Sequence, residues 1–580
     1  MARFIAIGSE QGETIAACAD ERAGRARGLV WALERRTVLV LTVLAILGVG
    51  LRGGGIDEIG FAEDEINKLE AVRAYERGQI APNAEHPMMM KTLIFLSVGA
   101  ARKWNAQAPP AVACISDEAA VRFPNILFGA LTIFPLFLLT AAFFGRRTAL
   151  MAAALWAFGI NAITYNRIAK EDTLLVFFML FAFYFYLRAK QTSGYEALNK
   201  RRHYILSAVS FGLMFASKYF PHYFGLNMLY HHLVHVRARG AGEPRGKTPS
   251  VFYVVVAVAF LVFNPAVLLP ETWHYLQAYS SEKLLTHTGY LVGEHLYSNK
   301  MSGTPFGGTP IYFYLLFLLI KVPLPILAAL VAGLFVVIRR RKEPGHAFLL
   351  LMFVLWIVPY SLVGAKWLRY TLSLMPLIYM IGAIGTAALV RGCESTARHV
   401  RLPAALLIVR VAAGIIFFIS PLWIAFANMP HYALYTNAIA RDRAGYFFPH
   451  DEFYDDGLRE AIRYVCDHAP PGAIVAHETP GVARYYFEKY GRTDLRSRVI
   501  SDANFNAVDE TSPIFIILQR GRTYFENRAE MDAVRADHRS LPESESAGKS
   551  KVISPPEVVF IKVYGVLIRG VSAVEVYVKA

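Results

Sequence analysis

The chain has 580 residues, 55% of them hydrophobic and 18% charged, with a net charge of +15. Apolar stretches near the length of a bilayer-spanning helix recur from residue 37 to residue 425, which excludes a string of soluble domains and favours one membrane bundle with a tail. The basic residues fall in short clusters between apolar runs, so the charge reports topology and excludes nucleic acid as a partner, while Cys18, Cys114, Cys393 and Cys466 show no zinc-ligand spacing and no disulfide framework.

In chain order, residues 1–36 are expected as a cytoplasmic tail, and the apolar segment 37–51, without a small-residue cleavage site, as a retained first helix. A first outer loop follows over 52–119. It holds a helix from Asp64 to Tyr75 and an apolar stretch, Met88 to Trp104, predicted to lie in the interface on Lys91, Arg102, Lys103 and Trp104. Further spans are predicted at 120–143, 148–166, 173–188, 203–220, 221–236, 250–269, 310–337, 347–363, 370–390 and 402–425, about eleven in all. The large outer loop covers 270–309. With the N-terminus inside, the inner loops carry eighteen basic residues against four acids, the asymmetry that the positive-inside rule demands. The same orientation puts 52–119, the turn before Asp172, 270–309 and Gly364 to Tyr370 on one outer face.

From 426 to 580 the composition turns polar and mixed. The stretch "DDGLREAIRYVCDHAPPGAIVAHETPGVARYYFEKYG" reads as helix, turn, strand and helix, "SPIFIILQ" and "EVVFIKVYGVLI" as strands, and "SLPESESAGKSK" as a loop. A small C-terminal α/β extracytoplasmic domain is the expectation. The acidic "PHDEFYDD" lacks the EF-hand pattern and is read as a solvated turn.

Ionisable groups beside a bilayer are costly and therefore informative. The stretch "FAEDEINKLEAVRAYERGQIAPNAEHPMMMK" sets Glu63, Asp64 and Glu65 at a helix start, where a carboxylate also gains from the helix dipole, and then Glu85, His86 and Lys91. Its order of Asp-Glu, amphipathic helix, His-Pro and Lys resembles the first outer loop of the protein O-mannosyltransferase family, and "EHP" also resembles the Glu-Lys-Pro of lipid A aminoarabinose transferases. "RIAKEDTLLVFF", Arg167 to Phe178, and "GAKWLRYTLSLMP", Gly364 to Pro376, are similar to two further elements of that family. The resemblance covers Ile56 to Pro376; the tail lies outside it, and Met88 stands where the family has a second proline.

The resemblance implies an α-helical polytopic membrane protein of GT-C fold, glycosyltransferase family 39-like. Such an enzyme moves a sugar with inversion from a polyprenyl-phosphate donor to a protein, lipid A or glycan acceptor at the outer face of, by expectation, a bacterial inner membrane. It implies Asp64 as general base, Glu65 orienting it or the acceptor, and Asp172 as a second carboxylate that positions acceptor or a metal. Lys366 and Arg369 at a helix end are candidates to hold the donor phosphate, with His86 and Lys91 beside them, Arg167 and Glu85 in support, and Lys218 as a weaker candidate. A divalent metal on Asp64 and Asp172 is an open option. His287 and His295 lie in the large outer loop and are left outside the catalytic set. The rival reading is a transporter or lipid flippase, whose charges would line a path at the midplane of repeated halves; no internal repeat supports it.

Overall fold

The protein is described by a computed structural model that covers residues 34–107, 109, 114–192, 197–219, 222–237, 247–281, 288–301, 303, 306–399, 403–507, 513–536, 538–539 and 560–579. The segment "SLPESESAGKSK" and His287 fall outside these described residues.

A helix occupies each of the eleven predicted positions. By length and composition, six are suited to cross a bilayer among the described residues, or seven with the pair Arg146–Phe158 and Ile160–Asn166, bent by 56°. Ser250–Phe263 and Leu324–Arg339 are apolar but shorter. The segment expected as one span over 310–337 is two helices, Phe313–Lys321 and Leu324–Arg339. The break falls where Pro323 forces extended backbone on Val322, which has ψ 130°. The bundle exposes Leu39, Ile46, Val331, Phe335, Leu407 and Trp423. A lipid-facing surface requires such apolar residues, since lipid offers no partner to a polar group. Two glycines set the closest helix contact. A Cβ on Gly385 would lie 1.8 Å from the Ala329 carbonyl oxygen, and one on Gly333 would lie 2.0 Å from that of Ile381. Only glycine at both positions lets helix Met375–His399 pack this tightly on Leu324–Arg339.

Between the spans lie helices Glu63–Tyr75, Met88–Gln107, which packs on Asp117–Leu131, and Pro270–Ser280, and the hairpin of β1 (Tyr290–Val292) with β2 (His295–Tyr297). The C-terminal region builds a six-stranded mixed sheet from β3 (Ile474–His477), β4 (Arg496–Val499), β5 (Ile514–Gln519), β6 (His538–Arg539), β7 (Phe560–Ile568) and β8 (Val571–Lys579), ordered β4-β3-β5-β8-β7-β6. Every residue of β5 is buried. The predicted helix, strand, helix run is Leu458–His468, β3 and Pro480–Lys489; β4, β6 and β8 are strands beyond those predicted, and of these only β8 has a valine-rich alternating sequence.

The sheet domain docks on the first outer loop through buried polar contacts. The Tyr486 hydroxyl accepts from the Phe61 amide (2.8 Å) and donates to Glu118 (3.0 Å), while Lys489 pairs with Glu118 at 3.1 Å. Arg522 holds Asp455 in a two-pronged pair and reaches Glu63 at 2.9 Å. The "PHDEFYDD" segment is therefore not a solvated turn: Asp451, Glu452 and Asp455 are buried and accept from Tyr290, Lys321 and Arg522 respectively. Carboxylates that far from water persist because each is paired.

Candidate active site

Asp64 stands in the first turn of helix Glu63–Tyr75, whose start is closed by a capping box from Glu65 to the Ala62 amide. Three groups from distant segments converge on its Oδ2. Lys170 Nζ, on the turn after the bent helix pair, lies 2.7 Å away; Arg369 NH1, on the outer turn Leu368–Ser373, lies at 3.7 Å; and the Tyr454 hydroxyl of the C-terminal domain donates to the same oxygen. The carboxyl keeps 30% of its side chain exposed. Burial alone would raise its proton affinity, but Lys170, Arg369 and Lys68 outweigh it and hold the carboxyl well below the usual range. Arg369 lies over the rings of Trp367 and Tyr370 at 5.1 and 5.7 Å. Burial opposes its charge, yet Asp64 holds its pKa well above the ordinary value.

Asp172 opens helix Asp172–Gln191, and its Oδ1 accepts from Lys218 at 2.6 Å. Its Oδ2 is buried without a partner among the described residues. Lys170, Asp172, Lys218, Arg369, His86 and Glu85 line one cleft of ≈ 560 Å³, whose remaining wall includes Tyr219, Trp273, Leu276 and Met301. The cleft thus sets Lys170, Lys218 and Arg369 among the carboxylates Glu85, Glu171 and Asp172 and has an apolar, aromatic side. Glu171 pairs with Lys68 at 3.0 Å, both buried.

The structure brings Asp172, Arg369, His86 and Glu85 together in the cleft lining, joins Asp64 to it through Lys170 and Arg369, and leaves other expected residues apart. Glu65 is buried, receives Arg122 on both oxygens (2.9 and 2.6 Å), and accepts from the Ala169 amide at 3.0 Å. With both oxygens committed it anchors the helix to the 167–171 turn and does not face the cleft. Arg167 donates to the carbonyls of Arg52, Gly54 and Gly55, and so ties down the end of the first helix. Lys91 donates to the carbonyls of Asn83 and His86, bracing that loop from below. The Lys366 ammonium is fully buried on Thr309 and on the Val363 carbonyl; burial pushes its pKa down to about 8. It does not line the cleft. His86 does, and burial pushes its imidazole down to about 3, which keeps it neutral. His295 is exposed on β2 and is not among the residues that line this cleft.

Lys170 and Tyr454 are the contacts that sequence reasoning missed. Both stood inside stretches singled out for other residues, "RIAKED" and "PHDEFYDD", and no local pattern marks their partner. A divalent metal fits the donor set poorly. Oδ2 of Asp64 and Oδ1 of Asp172 are each taken by a cation, and no cluster of three or more His, Cys, Asp or Glu exists among the described residues.

Residues 110–269 match the protein family described as Dolichyl-phosphate-mannose-protein mannosyltransferase. The chain is similar in fold to ArnT from Cupriavidus metallidurans in its apo state, with a TM-score of 0.52 at 13% identity over 93% of this chain and 97% of that one. ArnT bound to undecaprenyl phosphate gives 0.49 at 12% over 94% and 98%. The apo oligosaccharyltransferase of Archaeoglobus fulgidus gives 0.47 at 11% over 84% and 70%. No curated protein sequence matches the chain. The fold is that of the GT-C membrane proteins, a helical bundle with a C-terminal sheet domain.

Proposed function

We propose that the chain is an inverting glycosyltransferase that moves a sugar from a polyprenyl-phosphate donor to an acceptor at the outer, periplasmic face of a bacterial inner membrane. The observation that carries this reading is the cleft itself. A carboxylate with an exposed edge, Asp64, pairs with Lys170 and Arg369, two cations from separate segments that line the cleft, and Lys218 on Asp172 lines it too. A sugar phosphate needs that pairing: a base for the acceptor and fixed positive charge for the departing phosphate. The family match over 110–269 supports a lipid-linked sugar donor.

In this reaction the bond from the anomeric carbon to the phosphate oxygen breaks, and a bond to the acceptor atom forms on the opposite face. The acceptor proton passes to the Asp64 oxygen that the cations leave open. The phosphate departs on its lipid with its charge met by Arg369 and Lys170. Asp172, steadied by Lys218, lines the same cleft as a second carboxylate beside the acceptor. No step is routed through a metal. The apolar wall of Trp273, Leu276 and Met301 suits the first isoprene units of a lipid donor. A protein hydroxyl, as in O-mannosylation, a lipid A phosphate and a glycan all meet the chemical requirement on the acceptor.

The test is sugar release from a panel of radiolabelled polyprenyl-phosphate sugars by the purified protein, with Asp64→Asn as paired control. Release by the wild type with loss in the variant supports the reading and names the donor. No release from any donor would overturn it and turn attention to transport.

A further inference from the structure

The base and the cleft share their cations. Lys170 touches Asp64 and also lines the cleft, as does Arg369. The remaining cations are committed elsewhere: Lys68 to Glu171 at 3.0 Å and Lys218 to Asp172 at 2.6 Å. Lys170 and Arg369 are 6% and 17% exposed, so charge interactions here are weakly screened and a second anion in the cleft competes directly for them.

We infer that Lys170 and Arg369 are exchanged between Asp64 and the donor phosphate, so that donor binding frees a base which the empty site keeps tied in an ion pair. This deepens the reading above and rests on it. With no donor, Asp64 is a weak proton acceptor, since the two cations and Lys68 stabilise its anion. A phosphate that draws Lys170 and Arg369 toward itself removes that stabilisation and raises the proton affinity of Asp64 when there is a sugar to transfer. Activation of the acceptor thereby waits for the donor.

The surroundings fit a side-chain exchange over a fixed frame. The 167–171 turn that carries Lys170 is held by Arg167 on the carbonyls of Arg52 and Gly54, and by Asn125 donating to the Lys170 carbonyl at 2.8 Å. Only the lysine side chain need swing. The Tyr454 hydroxyl holds Oδ2 independently of the cations, which keeps the carboxylate aimed once they leave. Tyr454 itself sits in left-handed backbone, φ 43°, a conformation costly for a tyrosine and here imposed by the packed domain junction.

Coupling is reciprocal, and this yields the test: if donor phosphate raises the proton affinity of Asp64, loss of the Asp64 charge must tighten donor phosphate binding. The probe is a sugar-free polyprenyl phosphate, titrated into full-length protein in detergent by calorimetry. Wild type, Asp64→Asn, Lys170→Gln and the double variant are compared. Asp64→Asn is expected to bind at least about 5-fold tighter, the low end for coupled sites. Lys170→Gln should bind more weakly, and most of the gain from Asp64→Asn should vanish in the Lys170→Gln background. That non-additivity separates exchange of Lys170 from the general benefit of removing a nearby negative charge. Equal or weaker binding by an Asp64→Asn variant that melts like wild type would overturn the exchange, as would an undiminished gain in the double variant. A wild type that binds no polyprenyl phosphate would overturn the donor assignment and the exchange together, whereas binding indifferent to Asp64 overturns the exchange alone.

Discussion

Lys170 and Asp64 meet at 2.7 Å, one on the turn that follows a bent helix pair and the other at the start of an outer helix. The contact joins the segment that carries Asp172 to the segment that carries the candidate base, and both borders of the cleft depend on it.

Asp64→Asn should lower sugar transfer by about 10²–10⁴-fold, the range that a positioned proton acceptor supplies. The fold should survive, because the amide keeps the Tyr454 contact. Single-turnover sugar release, with the melting temperature as control, checks both halves.

Lys170 sets an alkaline limit on donor binding. Burial pushes its pKa down to about 8, with Asp64 opposing the shift, so its charge is present below that pH and lost above it. Affinity for polyprenyl phosphate is expected to fall as pH rises through about 8. Lys170→Arg, whose charge persists, should retain affinity at higher pH. Flat binding across this range would remove Lys170 from the phosphate site.

Glu65→Gln is predicted to act on stability. It leaves the Arg122 guanidinium, buried under Glu65 and the carbonyls of Ile56, Ile59 and Gly60, without its counter-charge. Breaking a buried pair from one side costs about 3–5 kcal/mol. The melting midpoint in detergent should drop sharply, and any loss of transfer should track the folded fraction. A Glu65→Gln variant that melts normally but is inactive would instead place Glu65 in the chemistry.

Arg522→Met should loosen the sheet domain from the first outer loop, because this one guanidinium bridges Asp455 and Glu63. Limited proteolysis is expected to cut between bundle and sheet domain faster than in wild type. Transfer should fall as well, since the Tyr454 contact to Asp64 crosses the same junction.

The helices were legible because apolar run length acts locally: each span announces itself to the bilayer through its own residues. Asp64 and Asp172 were legible too, through motifs whose spacing survives in one dimension. Glu65 was legible as part of a motif, yet its neighbour Asp64 and not Glu65 pairs with Lys170 and Arg369 of the cleft lining, a difference of one residue around a helix. The solvated reading of "PHDEFYDD" failed because composition cannot see that a second domain covers it.

By itself, then, the sequence determined a membrane bundle and singled out Asp64 and Asp172 by their motifs. Tertiary structure alone decided which cations each carboxylate meets: Lys170 and Arg369 for Asp64, and Lys218 for Asp172. It also decided that a C-terminal tyrosine completes the site. The reason is physical. Ion pairing in a desolvated cleft depends on distances of a few ångströms between segments far apart in the chain, and only long-range packing fixes those distances.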